Sequence, residues 1–142
     1  MSTLRDFTTV RCSYTVVPLR LARRFGEQPA LPLRVPVADL HVEKDVLVQL
    51  SPKPGYAGYE LLDIRWEPKD GGAYPAFHGT LSIADEGAGW SRIELDGTYT
   101  PPLGVLGLAF DAAVGHRIAA ATAAEFLAEI KRVVSTPAQA SA

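Results

Sequence analysis

Trp90-Ser-Arg-Ile-Glu-Leu-Asp-Gly-Thr-Tyr-Thr100, followed at once by Pro101-Pro102-Leu-Gly104, is the stretch on which the fold turns. Apolar and polar residues alternate, with Ile93, Leu95 and Tyr99 on one side and Arg92, Glu94, Asp96 and Thr98 on the other. That period of two predicts a strand with one buried face. Pro101-Pro102 ends it, because proline has no N–H for a sheet ladder. From Leu103 the chain is rich in Ala and Leu and meets no proline until Pro137, which predicts a long C-terminal helix ending near Val134. A sheet with a single apolar face needs a cover, and this helix is the only element long enough to be one.

Upstream, the chain reads as sheet. Phe7 to Val17 is the expected first strand, with Val10, Cys12, Tyr14 and Val16 on one face. Pro18 then opens a short helix, Leu19 to Phe25, which Gly26 is placed to end. Leu33 to Val42 is a weaker strand, interrupted by Pro36. Asp45 to Leu50 alternates cleanly, and Ser51-Pro-Lys-Pro-Gly55 reads as a turn. Glu60 to Glu67 puts Leu62, Ile64 and Trp66 on one face. Pro75 to Ala84 does the same for Phe77, Gly79, Leu81 and Ile83, with His78, Thr80 and Ser82 opposite. Short turns between consecutive strands favour an antiparallel meander.

The C-terminal helix carries two apolar sets, Leu106, Phe110 and Ala113 on one face and Ile118, Phe126, Ile130 and Val133 on another. Gly115 lies between them, and glycine is disfavoured in a helix interior by about 1 kcal/mol relative to alanine. The shift predicts a bend or break near Gly115, with an entry segment before it and a gripping segment after it.

Composition narrows the classes of function. Apolar residues make up 47% of the 142 and charged residues 21%, as in an ordinary globular chain. A formal charge of −2 gives no case for nucleic acid. No run approaches the roughly eighteen apolar residues of a membrane span, and Met1 to Asp6 lacks the apolar core of a signal peptide, so a cytoplasmic protein is expected. Cys12 is the single cysteine, which excludes an intrachain disulfide and a cysteine zinc site. His41, His78 and His116 share no metal-ligand spacing, so no metal or other cofactor is expected.

Leu95-Asp-Gly-Thr-Tyr-Thr-Pro-Pro-Leu-Gly104, then Asp111, His116-Arg117, Ala121-Thr122 and Phe126-Leu127, resembles the last strand and helix of small actinobacterial-type members of the START-like helix-grip superfamily (SRPBCC, polyketide cyclase/dehydrase-like). The order of elements is similar from Phe7 to Val134. It departs from the superfamily pattern in a short first insert and in six counted strands where seven are typical. The resemblance implies an α+β fold: a curved antiparallel sheet of six to seven strands wrapped around a long C-terminal helix, with a short helical insert after the first strand. One domain then covers residues 1–134, and residues 135–142 form a disordered tail.

The resemblance also implies a hydrophobic cavity between sheet and helix, in which members of the superfamily bind lipids, sterols or polyketides. Its candidate lining here is Tyr14, Trp66, Phe77, Leu81, Tyr99, Phe110 and His116. Tyr14 and Tyr99 stand out because a buried phenol wants a hydrogen-bond partner. His116 is a candidate acid or base at the cavity mouth by residue type, or a hinge residue. No Gly-x-Ser-x-Gly elbow or P-loop lysine is present, and Asp63, Glu94 and Asp96 fall on the polar face with Arg65 and Arg92. No catalytic set emerges, so the expected function is non-catalytic binding of a small hydrophobic ligand. The alternatives are a cyclase- or dehydratase-type enzyme acting on a polyketide-like substrate, and a protein-interaction or structural domain.

Overall fold

The computed structural model describes residues 2–37, 40–70, 76–100 and 112–135. Strand β1 (Ser2–Val10) leads into helix α1 (Val17–Glu27). Five strands follow, β2 (Ala30–Val37), β3 (Leu40–Tyr56), β4 (Tyr59–Pro68), β5 (Ala76–Gly87) and β6 (Trp90–Thr100), and then helix α2 (Ala112–Ser135). All the strands join one antiparallel sheet in the order β1-β6-β5-β4-β3-β2. The expected α+β architecture holds, with six strands among the described residues.

The sheet curls around α2. Helix α2 packs against β1 and β2, which are the two opposite edges of the sheet. A flat sheet of this width spans about 24 Å from edge to edge, whereas a helix is only about 10 Å across. Both edges can meet one helix only if the sheet bends over it. At the facing pair Gly79 and Gly97 on β5 and β6 the two backbones come very close. A Cβ on Gly97 would stand 2.4 Å from the His78 carbonyl oxygen and 2.7 Å from Cζ of Phe77. Only glycines let the two backbones approach this closely.

Alternation puts Val46, Val48, Leu62, Ile64, Trp66, Phe77, Leu81, Ile83, Ile93, Leu95 and Tyr99 on the concave face, all buried. Helix α2 answers with Ala119, Ala123, Phe126, Leu127, Ile130 and Val134. Each large side chain sealed in this way contributes about 1.5–3 kcal/mol. Helix α1 closes the remaining space through Val17, Leu21 and Phe25, one turn apart on one face. The Arg20 guanidinium, on α1, donates to the Val134 carbonyl and so caps the C-terminus of α2, where the helix dipole favours a cation.

Four local expectations change. The first strand ends at Val10, because its partner β6 begins at Trp90 and the ladder stops at the Val10–Ser91 pair. Tyr14 therefore lies in the turn before α1, where Val16 and Val17 donate to the Ser13 carbonyl. Leu33 to Val42 is the end of β2 and the start of β3, paired with each other, rather than one strand. Ser51 to Gly55 continues β3 instead of turning. Among the described residues this part of β3 pairs with β4 alone, with a register shift between Lys53 and Tyr56, and a strand side without a ladder partner tolerates Pro52 and Pro54. Helix α2 passes through Gly115 without interruption, since packing downstream outweighs the propensity cost of one glycine. The proposed entry segment before Ala112, Phe110 included, lies outside the described residues, as does the tail from residue 136.

Candidate functional site

Cross-strand register assembles an aromatic row on the concave face. Val48 faces Trp66, Trp66 faces Phe77, and Phe77 faces Tyr99 across β3, β4, β5 and β6. The Trp66 and Phe77 rings stack with centroids 4.6 Å apart, inclined by 22°. Phe126 of α2 lies against the same indole at 4.5 Å. One turn earlier on the helix, the Thr122 hydroxyl meets the Tyr99 phenol at 3.3 Å, both groups fully buried. Helix α2 thus grips the row at two successive turns.

Three of the expected cavity residues, Trp66, Phe77 and Tyr99, are brought together here, and Leu81 lies on the same face two rows away. Tyr14 is only partly buried, against the core at the β1–α1 turn. His116 falls on α2 with its side chain outside what is described.

Tyr99 and Trp66 differ in how their buried polar atoms are met. Tyr99 satisfies its hydroxyl with Thr122, whereas the Trp66 indole Nε1 is buried and meets no acceptor among the described residues. A buried N–H left unpaired costs about 1–3 kcal/mol. The signal was legible as a tryptophan on an inward parity, but its unmet N–H depends on what the helix places above it.

The convex face carries the charges, in pairs other than those expected. Asp63 meets His78 Nε2 at 3.2 Å and Lys53 Nζ at 4.0 Å, and Lys53 also donates to Thr80. Arg5 on β1, rather than Arg92, serves Asp96 at 2.8 Å and Glu94 at 3.7 Å. The hydrogen bond and charge of Asp96, then the charge of Glu94, raise the Arg5 pKa from its ordinary value. Arg92 lies instead over the Phe7 ring, 3.6 Å from its centroid. These groups are exposed or half-exposed, so each pair is a modest surface interaction. Among the described residues, no three His, Cys, Asp or Glu gather as a metal site, and no helix is long and apolar enough to cross a membrane.

A curled antiparallel sheet holding a C-terminal helix across both its edges, with an aromatic interior, is a helix-grip fold. The chain is similar to a START superfamily protein from Mycobacterium smegmatis, at 12% identity over 93% of this chain and 96% of that one, with a TM-score of 0.49. No family model and no curated protein matches the sequence.

Proposed function

We propose that this protein binds a small, predominantly apolar molecule, of lipid or polyketide-like character, between the concave sheet and α2, and performs no chemistry on it. The observation that carries this reading is the Trp66 Nε1–H, buried where Phe77 and Phe126 pack on the indole and with no described acceptor. Phenylalanine would fill the same place at no polar cost, so the indole invites an acceptor oxygen delivered by a ligand. Phe77 and Phe126 supply the apolar contact around it.

An enzymatic reading needs two ionisable or nucleophilic groups converging on one chamber. Tyr99 is engaged by Thr122, Tyr14 belongs to the α1 turn, and the His116 side chain lies outside what is described. None of these favours it.

The test uses the two tryptophans, Trp66 and Trp90. In a Trp90→Phe background Trp66 is the only indole, and displacement of a fluorescent fatty-acid analogue is read with its emission. Saturable binding that shifts Trp66 emission, together with a small molecule carried through purification and seen by native mass spectrometry, supports the proposal. Absence of both a bound molecule and saturable probe binding ends it.

A further inference from the structure

Strand β4 places residues 60, 62, 64 and 66 on one side, and three of them are the buried Leu62, Ile64 and Trp66. The fourth is Glu60. A carboxylate at an inward position breaks the pattern that the rest of the strand obeys, and such breaks are costly unless they serve a purpose. Glu60 lines a groove of about 180 Å³ between α1 and the β3–β4 hairpin. Its other walls include Pro18, Leu19 and Ala22 on the helix, and Leu50, Pro52 and Leu62 on the strands.

Glu60 is half-buried and has no hydrogen bond or ion pair among the described residues. The basic side chains of the neighbouring elements are committed elsewhere. Arg20 donates to Val134, Arg23 pairs with Glu27, Arg24 donates to the Gln28 carbonyl, and Lys53 serves Thr80 and Asp63. The groove is thus an apolar slot with one uncompensated negative charge on its wall.

We propose that this groove is a second binding site, separate from the sheet–helix interior, and that it takes a small free organic cation: an ammonium group on a compact apolar body. The volume matches about six water molecules, which suits a compact ring with one polar group. The apolar walls take the body, and the Glu60 carboxylate takes the ammonium through a charge-assisted hydrogen bond.

The test is an NMR titration of the full chain with cyclohexylammonium, cyclohexanol and cyclohexanecarboxylate, three bodies of one shape and different charge. The expected result is saturable amide shifts confined to residues 18–22, 50–52 and 60–62. Cyclohexylammonium should bind at least about tenfold more tightly than the carboxylate. Glu60→Gln should remove that preference while leaving cyclohexanol unchanged, and Ala22→Trp, which fills the groove, should remove binding of all three. The proposal is overturned if the probes bind alike, if Glu60→Gln leaves the ammonium affinity intact, if shifts map elsewhere, or if none saturates.

Discussion

The phenol of Tyr99 on β6 and the hydroxyl of Thr122 on α2 meet at 3.3 Å inside the protein, both fully buried. This contact ties the last strand to the helix that follows it and sets the height at which α2 crosses the aromatic row. Tyr99→Phe leaves a buried hydroxyl without this partner and should destabilise the fold by about 1–2 kcal/mol. Thr122→Val should cost a similar amount, and the double variant should cost less than the sum. Urea denaturation of all four proteins measures the coupling, and strict additivity would show that the two hydroxyls do not interact.

Phe126 is the helix residue on which the grip depends, with its ring against Trp66 and no exposure. Phe126→Ala should cost about 3–5 kcal/mol, the range for an aromatic removed from a packed core. Leu19→Ala is the control, because Leu19 is 69% exposed on α1 and should change stability by less than about 0.5 kcal/mol. Chemical denaturation midpoints that fell equally for both would contradict the assigned packing.

Two glycines should respond in opposite directions. At Gly97 a methyl group would strike the His78 carbonyl and the Phe77 ring, so Gly97→Ala should destabilise by about 1–3 kcal/mol. At Gly26, inside α1, a Cβ meets open space and no positive φ is required, so Gly26→Ala should stabilise by about 0.5–1 kcal/mol. Thermal melts of the two variants check both signs.

Burial pushes the Cys12 thiol above its ordinary value, with Arg20 drawing it part of the way back. A raised folded pKa means that the folded chain disfavours the thiolate. The associated stability is fully present below the unfolded value, near 8.5, and is lost as pH rises through the folded value. Urea midpoints should therefore fall above about pH 8.5, and Cys12→Ala should show a shallower decline over the same interval. Parallel curves for the two proteins would remove Cys12 as the cause.

Sequence alone determined the inward faces of the strands and the apolar face of the closing helix. At Leu62, Ile64 and Trp66, at Phe77 and Leu81, and at Ile93, Leu95 and Tyr99, side chains alternate by the backbone geometry of a strand, so parity needs no knowledge of neighbours. Phe126 and Ile130 follow from helical spacing in the same way. The limits of the strands were not local. Val10 ends β1 because β6 runs out, and Pro52 stays in β3 because no strand among the described residues pairs on its other side. The site was less legible still. Trp66, Phe77 and Tyr99 share a row only through the register of three strands, and Tyr99 finds Thr122 while Trp66 finds no described acceptor only through the seating of α2. Alternation is a property of one chain segment. Register, edges and satisfied hydrogen bonds are relations between segments, and only the tertiary structure decides them.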